Sequence, residues 1–210
     1  MRRDLSIFSR ATVCNIFLIA KLWYVLQAIH CARVSVQKFH RVFAKFIWSS
    51  TWEPMRRDNL FHRVRDGGLG LTHLFVRQLV SRFFFLRDQD HPFIRAFFQT
   101  KLAPHLPFFL VSSCGGEPAR LVGFQKEVVD TVLFLSARFS FEYLSVVSKK
   151  RLKRDLLSSL FSVPLYRTVV CDGGQDVLKR VKRMCVPPSV KTFFYKLHTN
   201  TLPVKVFLKE

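Results

Sequence analysis

Residues Ser35 to Trp48, which read SVQKFHRVFAKFIW, decide the fold that the sequence predicts. Their apolar side chains recur every three or four positions, the spacing that places residues on one face of an α-helix. Ser35 precedes the first of them and is a residue type that caps helices well. We therefore expect a capped amphipathic helix with a single buried stripe. The stripe comprises Val36, Phe39, Val42, Phe43, Phe46 and Ile47.

The other side of this segment is basic. Lys38, Arg41 and Lys45 also lie three or four residues apart, so a helix presents them together. A solvated helix face is the ordinary explanation of such a pattern. A stripe that faces phosphate groups is the alternative.

Helical spacing extends well beyond this segment. Leu5–Ile29 reads as one long helix with one break at most, and further helices are predicted over residues 72–86, 124–138, 148–161 and 189–198, with Thr72 as a cap. Strand-like alternation never continues for more than a few residues. We expect a mainly α protein, a helical bundle followed by a second, looser helical region.

Prolines and glycines concentrate between Lys101 and Gly123. Such residues punctuate secondary structure, so residues 104–123 are the predicted linker. It separates a helical domain, residues 1–103, from a basic helical region, residues 124–210. Within that second region, Pro187 and Pro188 are expected to end the helix before them.

The charge of the chain is strongly unbalanced. Lys and Arg number 34 against 14 Asp and Glu, which gives a net charge of +20. Residues 1–50 carry +7 and residues 151–210 carry +8, and the densest clusters are Lys149–Arg154 and Lys179–Arg183. A domain with this charge repels itself unless it meets a polyanion. A nucleic acid or an anionic membrane is therefore the expected partner.

The most apolar stretch, Ala11–Ala32, raises the membrane alternative. Lys21 divides it into two charge-free runs, each shorter than the roughly 20 residues that span a bilayer. A lysine at the centre of a membrane helix costs about 2.5 to 3.5 kcal/mol on insertion. The sequence favours a buried amphipathic helix, and a membrane-associated protein anchored by residues 11–32 stays the alternative.

The cysteines indicate the redox environment. There are five of them, an odd number, and no two have C-x-x-C spacing. Neither a disulfide framework nor a zinc ribbon is supported. Free thiols suit a reducing compartment.

No residues are arranged for catalysis in a recognisable way. Two-metal polymerases and nucleases need clustered carboxylates, whereas the acids here are scattered, with Asp88 and Asp90 the closest pair. None of the seven histidines has metal-ligand spacing, and no G-x-S-x-G, H-E-x-x-H or Walker-type motif occurs. Asp66-Gly67-Gly68 predicts a tight turn rather than a phosphate-binding loop. We expect no catalytic residue, metal, cofactor or small-molecule substrate, so that the chain is not an enzyme by itself.

Six short segments occur in a characteristic order. They are LSIFSRA at 5–11, LWY at 22–24, FIW at 46–48, DGGLGL at 66–71, VPPSVKTFFYKLH at 186–198 and LP at 202–203. The series resembles the region that follows the polymerase palm in reverse transcriptases of non-LTR (LINE-type) retrotransposons, and it is most similar to the transposon proteins of ticks. The resemblance covers nearly the whole chain, although Ser9 stands where the family usually has glycine.

The resemblance implies a reverse-transcriptase thumb, a helical bundle that packs along the minor groove of the template–primer duplex, followed by a basic connector. It also implies that the catalytic aspartates of the palm and the zinc-binding motif lie outside this chain, which is then a fragment. The implied partners are RNA or an RNA–DNA duplex and the missing palm domain. The life cycle of such elements, together with the lack of a recognisable signal peptide, implies a nuclear or cytoplasmic protein that is not secreted.

Contacts of a thumb with phosphate and sugar need cations on helices. The candidate nucleic-acid-binding residues are Arg2, Arg3, Arg10, Lys21, Lys38, Arg41, Lys45, Lys149, Lys150, Arg151, Lys153, Arg154, Lys179, Arg180, Lys182, Arg183 and Lys191. The residues that carry the family motif in a structural role are Trp23, Tyr24, Trp48, Gly67, Gly68, Pro187 and Pro188. Its three aromatic residues are expected to pack in the core, with base stacking as the alternative. A product that has no function and does not fold alone is the remaining alternative.

Overall fold

The computed structural model describes residues 4–110, 120–162 and 177–202 of the 210-residue chain. Most of these residues are helical and none of them forms a strand, which confirms the mainly α prediction. In chain order the helices are α1 (Ile7–Val13), α2 (Ile19–Leu26), α3 (Arg33–Trp48), α4 (Leu74–Arg87), α5 (Pro92–Lys101), α6 (Gly123–Ser136), α7 (Phe141–Val146), α8 (Lys149–Leu160), α9 (Val177–Arg183) and α10 (Pro188–His198). A π-helical turn, Cys14–Leu18, connects α1 to α2, and 3-10 turns lie at Arg57–Phe61, Val64–Asp66 and Ala103–His105.

The chain divides into two compact units. The first unit takes its described residues from Met1–Lys21, Val34–His73 and Leu157–Glu210, and the second takes them from Leu22–Arg33 and Leu74–Leu156. Each unit therefore combines segments that are distant in sequence. Both the start of the predicted linker, where Leu106 is buried, and the helix α6 beyond it belong to the second unit. The spatial division thus differs from the predicted division along the chain.

The core of the first unit forms where α1 meets α10. Ile7 and Phe8 are buried, and the Ile7 peptide N–H donates to Thr192 Oγ1 at 3.1 Å. The Phe8 ring meets the ring of the fully buried Tyr195 edge-on, with 5.4 Å between centroids. The Tyr195 hydroxyl also donates to the Gly67 carbonyl oxygen at 3.1 Å. One tyrosine therefore joins both helices to the glycine-rich turn.

The buried face of α3 differs from the predicted stripe. The residues of α3 that are buried are Val36, His40, Phe43, Ala44, Ile47 and Trp48. Val42 is 59% exposed and Phe46 is 39% exposed, so their predicted core positions are wrong. The helix is turned because the His40 ring packs among aromatic side chains, 4.7 Å from the Phe61 centroid and 4.5 Å from that of His73. His40 therefore belongs to the buried face of α3.

The segment Asp66–Leu71 is a tight turn, as its sequence predicts. Gly67 has a φ of +80°, in the left-handed region that favours glycine. At Gly68 a Cβ atom would lie within 3 Å of backbone atoms of His62 and Asn59. The two glycines are therefore required for different reasons, one for its dihedral angle and the other for the close approach of a neighbouring backbone.

The π-helical turn positions a residue that holds this glycine-rich segment. Asn15 Nδ2 donates to the Gly70 carbonyl oxygen at 3.0 Å, and Asn15 Oδ1 accepts the Thr72 peptide N–H at 2.9 Å. One side-chain amide thus satisfies a backbone acceptor and a backbone donor, as a neighbouring strand would.

The second unit is organised around Arg82 on α4. This arginine is only 1% exposed. Its guanidinium donates to the main-chain oxygens of Leu26 at 2.8 Å, Gln27 at 2.5 Å and Ile29 at 3.3 Å. Arg82 Nε lies 3.2 Å from Glu127 Oε2 on α6, although without a hydrogen-bonding angle, and the guanidinium lies 4.3 Å from the Phe124 ring centroid. A buried cation thereby caps the carbonyl end of α2.

Several helix ends differ from their predictions. Helix α3 begins at Arg33 and α4 begins at Leu74, so the predicted caps Ser35 and Thr72 are wrong. The Thr72 peptide N–H instead binds Asn15. Pro188 is the first residue of α10, where the N–H that proline lacks has no helical partner to lose. Pro187 and Pro188 therefore precede a helix, and α9 has already ended at Arg183.

Candidate nucleic-acid interface

In the first unit, α3 carries three of the predicted cations on its exposed side. Lys38, Arg41 and Lys45 are all exposed. Helix α3 contains no acidic residue, and within the described residues no acidic side chain forms an ion pair with any of the three. This side of the helix is therefore a strip of positive charge that no described carboxylate neutralises.

Helix α9 shows the same separation of apolar and basic side chains. Leu178 and Val181 are buried. The cations of the helix are exposed, and they are Lys179, Arg180, Lys182 and Arg183. Lys191 on α10 differs, because it is half-buried and its Nζ donates to the Lys182 main-chain oxygen at 3.2 Å. Lys191 thus links α9 to α10 through a hydrogen bond, so it is less available to a ligand than the exposed cations of α9.

Helix α8 is the basic helix of the second unit. Leu152 and Leu156 are completely buried. The cations exposed beside them are Lys149, Lys150, Arg151 and Arg154. Lys153 is half-buried, and burial, followed by repulsion from the Arg77 guanidinium, lowers the pKa of its ammonium group. A bound anion would oppose this lowering of the Lys153 pKa, because a nearby negative charge favours the ammonium form.

The candidates near the N-terminus fall into three groups. Arg2 and Arg3 lie outside the described residues. Lys21 is exposed. Arg10 is half-buried, and its Nη1 donates to the Ile47 main-chain oxygen at 3.3 Å. Arg10 therefore joins α1 to α3 within the first unit, whereas Lys21 is accessible to a ligand.

The three motif aromatics have different environments. Trp23 is buried, with the Arg77 guanidinium 4.4 Å from its ring centroid. Trp48 is buried with its ring 6.3 Å from that of Tyr195. Tyr24, which was expected in the core, is instead 81% exposed. The two tryptophans stabilise the units, and Tyr24 is the one whose ring a base can reach.

Two residues that the sequence analysis did not single out also lie beside the predicted cations. Arg77 is the basic neighbour of Lys153. Trp52, four residues beyond the end of α3, is 64% exposed. A signal for Trp52 did exist in the sequence, since it is a tryptophan in a polar connector with no apolar stripe to join. Nothing local distinguishes Arg77 from other helix-surface arginines.

The acidic residues, histidines and cysteines are dispersed in the part of the chain that the structure describes. Among residues 4–110, 120–162 and 177–202, no group of three His, Cys, Asp or Glu side chains can hold a metal ion. Asp88 and Asp90, the acids that are closest in sequence, pair with arginines, Asp88 with Arg87 at 2.7 Å and Asp90 with Arg95 at 3.7 Å. Both carboxylates thus have local basic partners.

The helix that runs from Ile7 to Leu26 bears on the membrane alternative. It has 20 residues and is long and apolar enough, by length and composition, to cross a membrane. Core helices and signal sequences have the same properties. Ile16 and Phe17, in its π-helical turn, are each 58% exposed.

Comparison of the chain with protein-family models, with curated proteins and with solved structures finds no match. Exposed cations on α3, α8 and α9, beside few carboxylates, are suited to binding extended anions.

Proposed function

We propose that this chain is a non-catalytic nucleic-acid-binding protein, of the kind that the region after the palm forms in LINE-type reverse transcriptases, and that it grips element RNA or a template–primer duplex. The observation that carries the proposal is the strip on α3, where Lys38, Arg41 and Lys45 are exposed without acidic partners among the described residues. Helices α8 and α9 also carry exposed cations beside buried apolar residues, and on α8 one of these cations, Arg151, lies 3.7 Å from Asp155.

The placement of these cations on helices matters for the mode of binding. Each basic helix buries part of its apolar side chains, so packing fixes its position and its backbone needs no ordering on binding. Lysines and arginines on such faces contact phosphates and carry no sequence information. We therefore expect affinity that depends on salt and varies little with base sequence.

A salt titration of binding to a labelled RNA–DNA duplex tests the proposal. Neutralising six or more phosphates gives a slope of log K against log salt near −5 or steeper, at about −0.9 for each phosphate. A flat response would show that ion release does not drive binding and would refute the proposal.

A matched pair of triple variants tests which cations act. Replacing Arg180, Lys182 and Arg183 on α9 with Gln is expected to make the slope shallower by up to about 2.7. Replacing three exposed cations of the second unit, Lys101, Arg120 and Lys126, with Gln removes the same charge and is expected to change the slope much less. Equal effects of the two triples would mean that net charge, rather than the basic helices, determines binding.

Membrane association is the second candidate, and the apolar helix from Ile7 to Leu26 with exposed Ile16 and Phe17 favours it. Flotation with neutral phosphatidylcholine vesicles separates it from the first candidate. An anchored protein floats at high salt, whereas a nucleic-acid-binding protein without an anchor stays at the bottom of the gradient.

A further inference from the structure

An open groove lies in the first unit between α3 and the segment that follows it. Its volume is about 430 Å³, and one wall is the α3 face that carries Gln37, Lys38 and Arg41. The other wall comes from the connector and includes Trp52 and Arg57. Ligand sites start at roughly this size, near 300 Å³.

The indole of Trp52 is unusual among the tryptophans. Trp23 and Trp48 are buried, whereas Trp52 is 64% exposed. Its peptide N–H is held by Ser50 Oγ at 3.1 Å, so the backbone that carries the ring is fixed. An indole that borders a basic groove can stack on a planar ring, and it also attracts cations.

The positive groups of the groove are unequal. Arg57 donates through Nε and Nη2 to Glu53 Oε2 and Oε1, at 3.0 and 2.5 Å, so this arginine is already neutralised. Lys38 and Arg41 lie one turn apart on α3 and have no acidic partner among the described residues. The groove thus combines an exposed aromatic ring, two available cations and a wall fixed by an ion pair.

We propose that this groove binds one nucleotide of a single strand, with the base stacked on Trp52 and the adjoining phosphate on Lys38 and Arg41. The proposal rests on the proposed nucleic-acid-binding function and adds that the nucleic acid bound in the groove is single-stranded. A paired base inside a duplex has both faces covered by its neighbours, so an indole at the surface stacks on an unpaired base. Aromatic platforms flanked by cations bind single strands in this way with little sequence preference.

The test compares a single-stranded 12-nucleotide RNA with a blunt 12-base-pair RNA–DNA duplex, each labelled, using the full chain. Loss of a stacking platform is expected to weaken single-strand binding by about 5- to 150-fold in Trp52→Ala, the range that corresponds to one stacked base. Duplex binding is expected to change less than twofold. Trp52→Phe keeps a ring and is expected to retain most of the single-strand affinity.

Two controls make the result specific. Phe93 of the second unit is 74% exposed, and Phe93→Ala removes an accessible ring of similar size without touching the groove. Its single-strand affinity is expected to match that of the parent chain. The double variant Lys38→Gln with Arg41→Gln is expected to reduce the single-strand salt slope by about 1.4, at 0.7 for each phosphate.

The outcomes separate the two proposals. If the parent chain binds both nucleic acids but Trp52→Ala binds the single strand unchanged, the groove proposal is wrong and the proposed function stands. Equal losses on single strand and duplex also overturn the groove proposal, since they exclude stacking on an unpaired base. If the parent chain binds neither nucleic acid, both proposals are refuted.

Discussion

Replacing Arg82 with methionine tests whether a buried cation organises the second unit. Methionine keeps an unbranched apolar stem of similar reach, so the substitution removes mainly the guanidinium. The guanidinium lies within 3.3 Å of the Leu26, Gln27 and Ile29 main-chain oxygens. It also provides the charge that faces Glu127 at 3.2 Å, and Glu127 is itself buried.

The expected loss follows from what remains in the variant. Removing one partner of a buried ion pair costs about 3 to 5 kcal/mol when the other charge stays buried without compensation. In this variant Glu127 keeps a hydrogen bond from Gln78 Nε2 and lies 3.2 Å from His30 Nδ1, so the cost falls at the lower end of that range. Three carbonyl oxygens also lose a charged donor, although those near the surface can bind water instead. We therefore expect a loss of about 3 kcal/mol in the free energy of unfolding, or roughly 6 to 12 °C in Tm for a chain of this length.

Helix content followed by circular dichroism during urea and thermal unfolding measures the change. The double variant Arg82→Met with Glu127→Gln is the control, because it removes both charges. It is expected to be more stable than Arg82→Met alone by about 1 kcal/mol or more. A single variant that loses less than 1 kcal/mol, or a double variant no more stable than the single one, would refute the reasoning.

The remaining predictions concern the first unit. Burial, followed by the Arg57 charge, lowers the pKa of His40 from 6.5 to about 4. Between pH 4 and pH 6.5 the His40 side chain binds a proton in the unfolded chain but not in the folded one. The stabilisation is therefore complete above pH 6.5, and it falls by about 3 kcal/mol on acidification to pH 4. Urea titrations across this pH range are expected to show a weaker pH dependence of stability in His40→Leu, and an unchanged pH dependence would contradict the lowered His40 pKa. Gly68→Ala is expected to cost about 1 to 3 kcal/mol of stability, because its Cβ would clash with the His62 backbone. Gly70→Ala is expected to cost less, because no atom lies within 4 Å of its Cβ and only the φ of +68° strains it. A Gly70→Ala variant that unfolds at a lower temperature than Gly68→Ala would contradict this order. Burial raises the pKa of the Cys14 thiol to about 11, whereas Cys185 is exposed. Iodoacetamide at pH 8 is therefore expected to label Cys185 faster than Cys14, as followed by mass spectrometry, and equal rates would count against a buried Cys14.

The sequence predicted the helices better than their ends and faces. Apolar spacing alone was enough for α3, α4, α6 and α8, because burying one stripe stabilises a helix wherever it packs. The ends at Ser35 and Thr72 were missed, since a neighbour can take over the backbone group that a cap would satisfy, as Asn15 does for Thr72. The buried face of α3 was predicted wrongly, because His40 counts as polar in a hydrophobic pattern although it is buried among aromatic rings.

The candidate interface was predictable in part for a physical reason. Cations such as Lys38 and Arg180 are exposed because a charged side chain stays in water unless a partner compensates its charge inside the protein. Arg82 could not be recognised as buried, since its partner Glu127 and its three carbonyl acceptors are at least 45 residues away along the chain. Trp52 could be recognised as a candidate binding residue only from the structure, because its proposed role depends on the groove that it lines.

The π-helical turn at Cys14–Leu18 gives this chain the geometry of an α-helix with one residue inserted. The wider turn absorbs the extra residue, so the helical turns before and after it keep the faces that an uninterrupted α-helix with one residue fewer would have. Deleting one residue there would therefore leave Ile7 and Phe8 on the face that meets α10. The effect would fall on Asn15, which lies inside the turn and binds the Gly70 and Thr72 peptides. A change of length at this point thus alters the support of the glycine-rich turn rather than the packing of the helix.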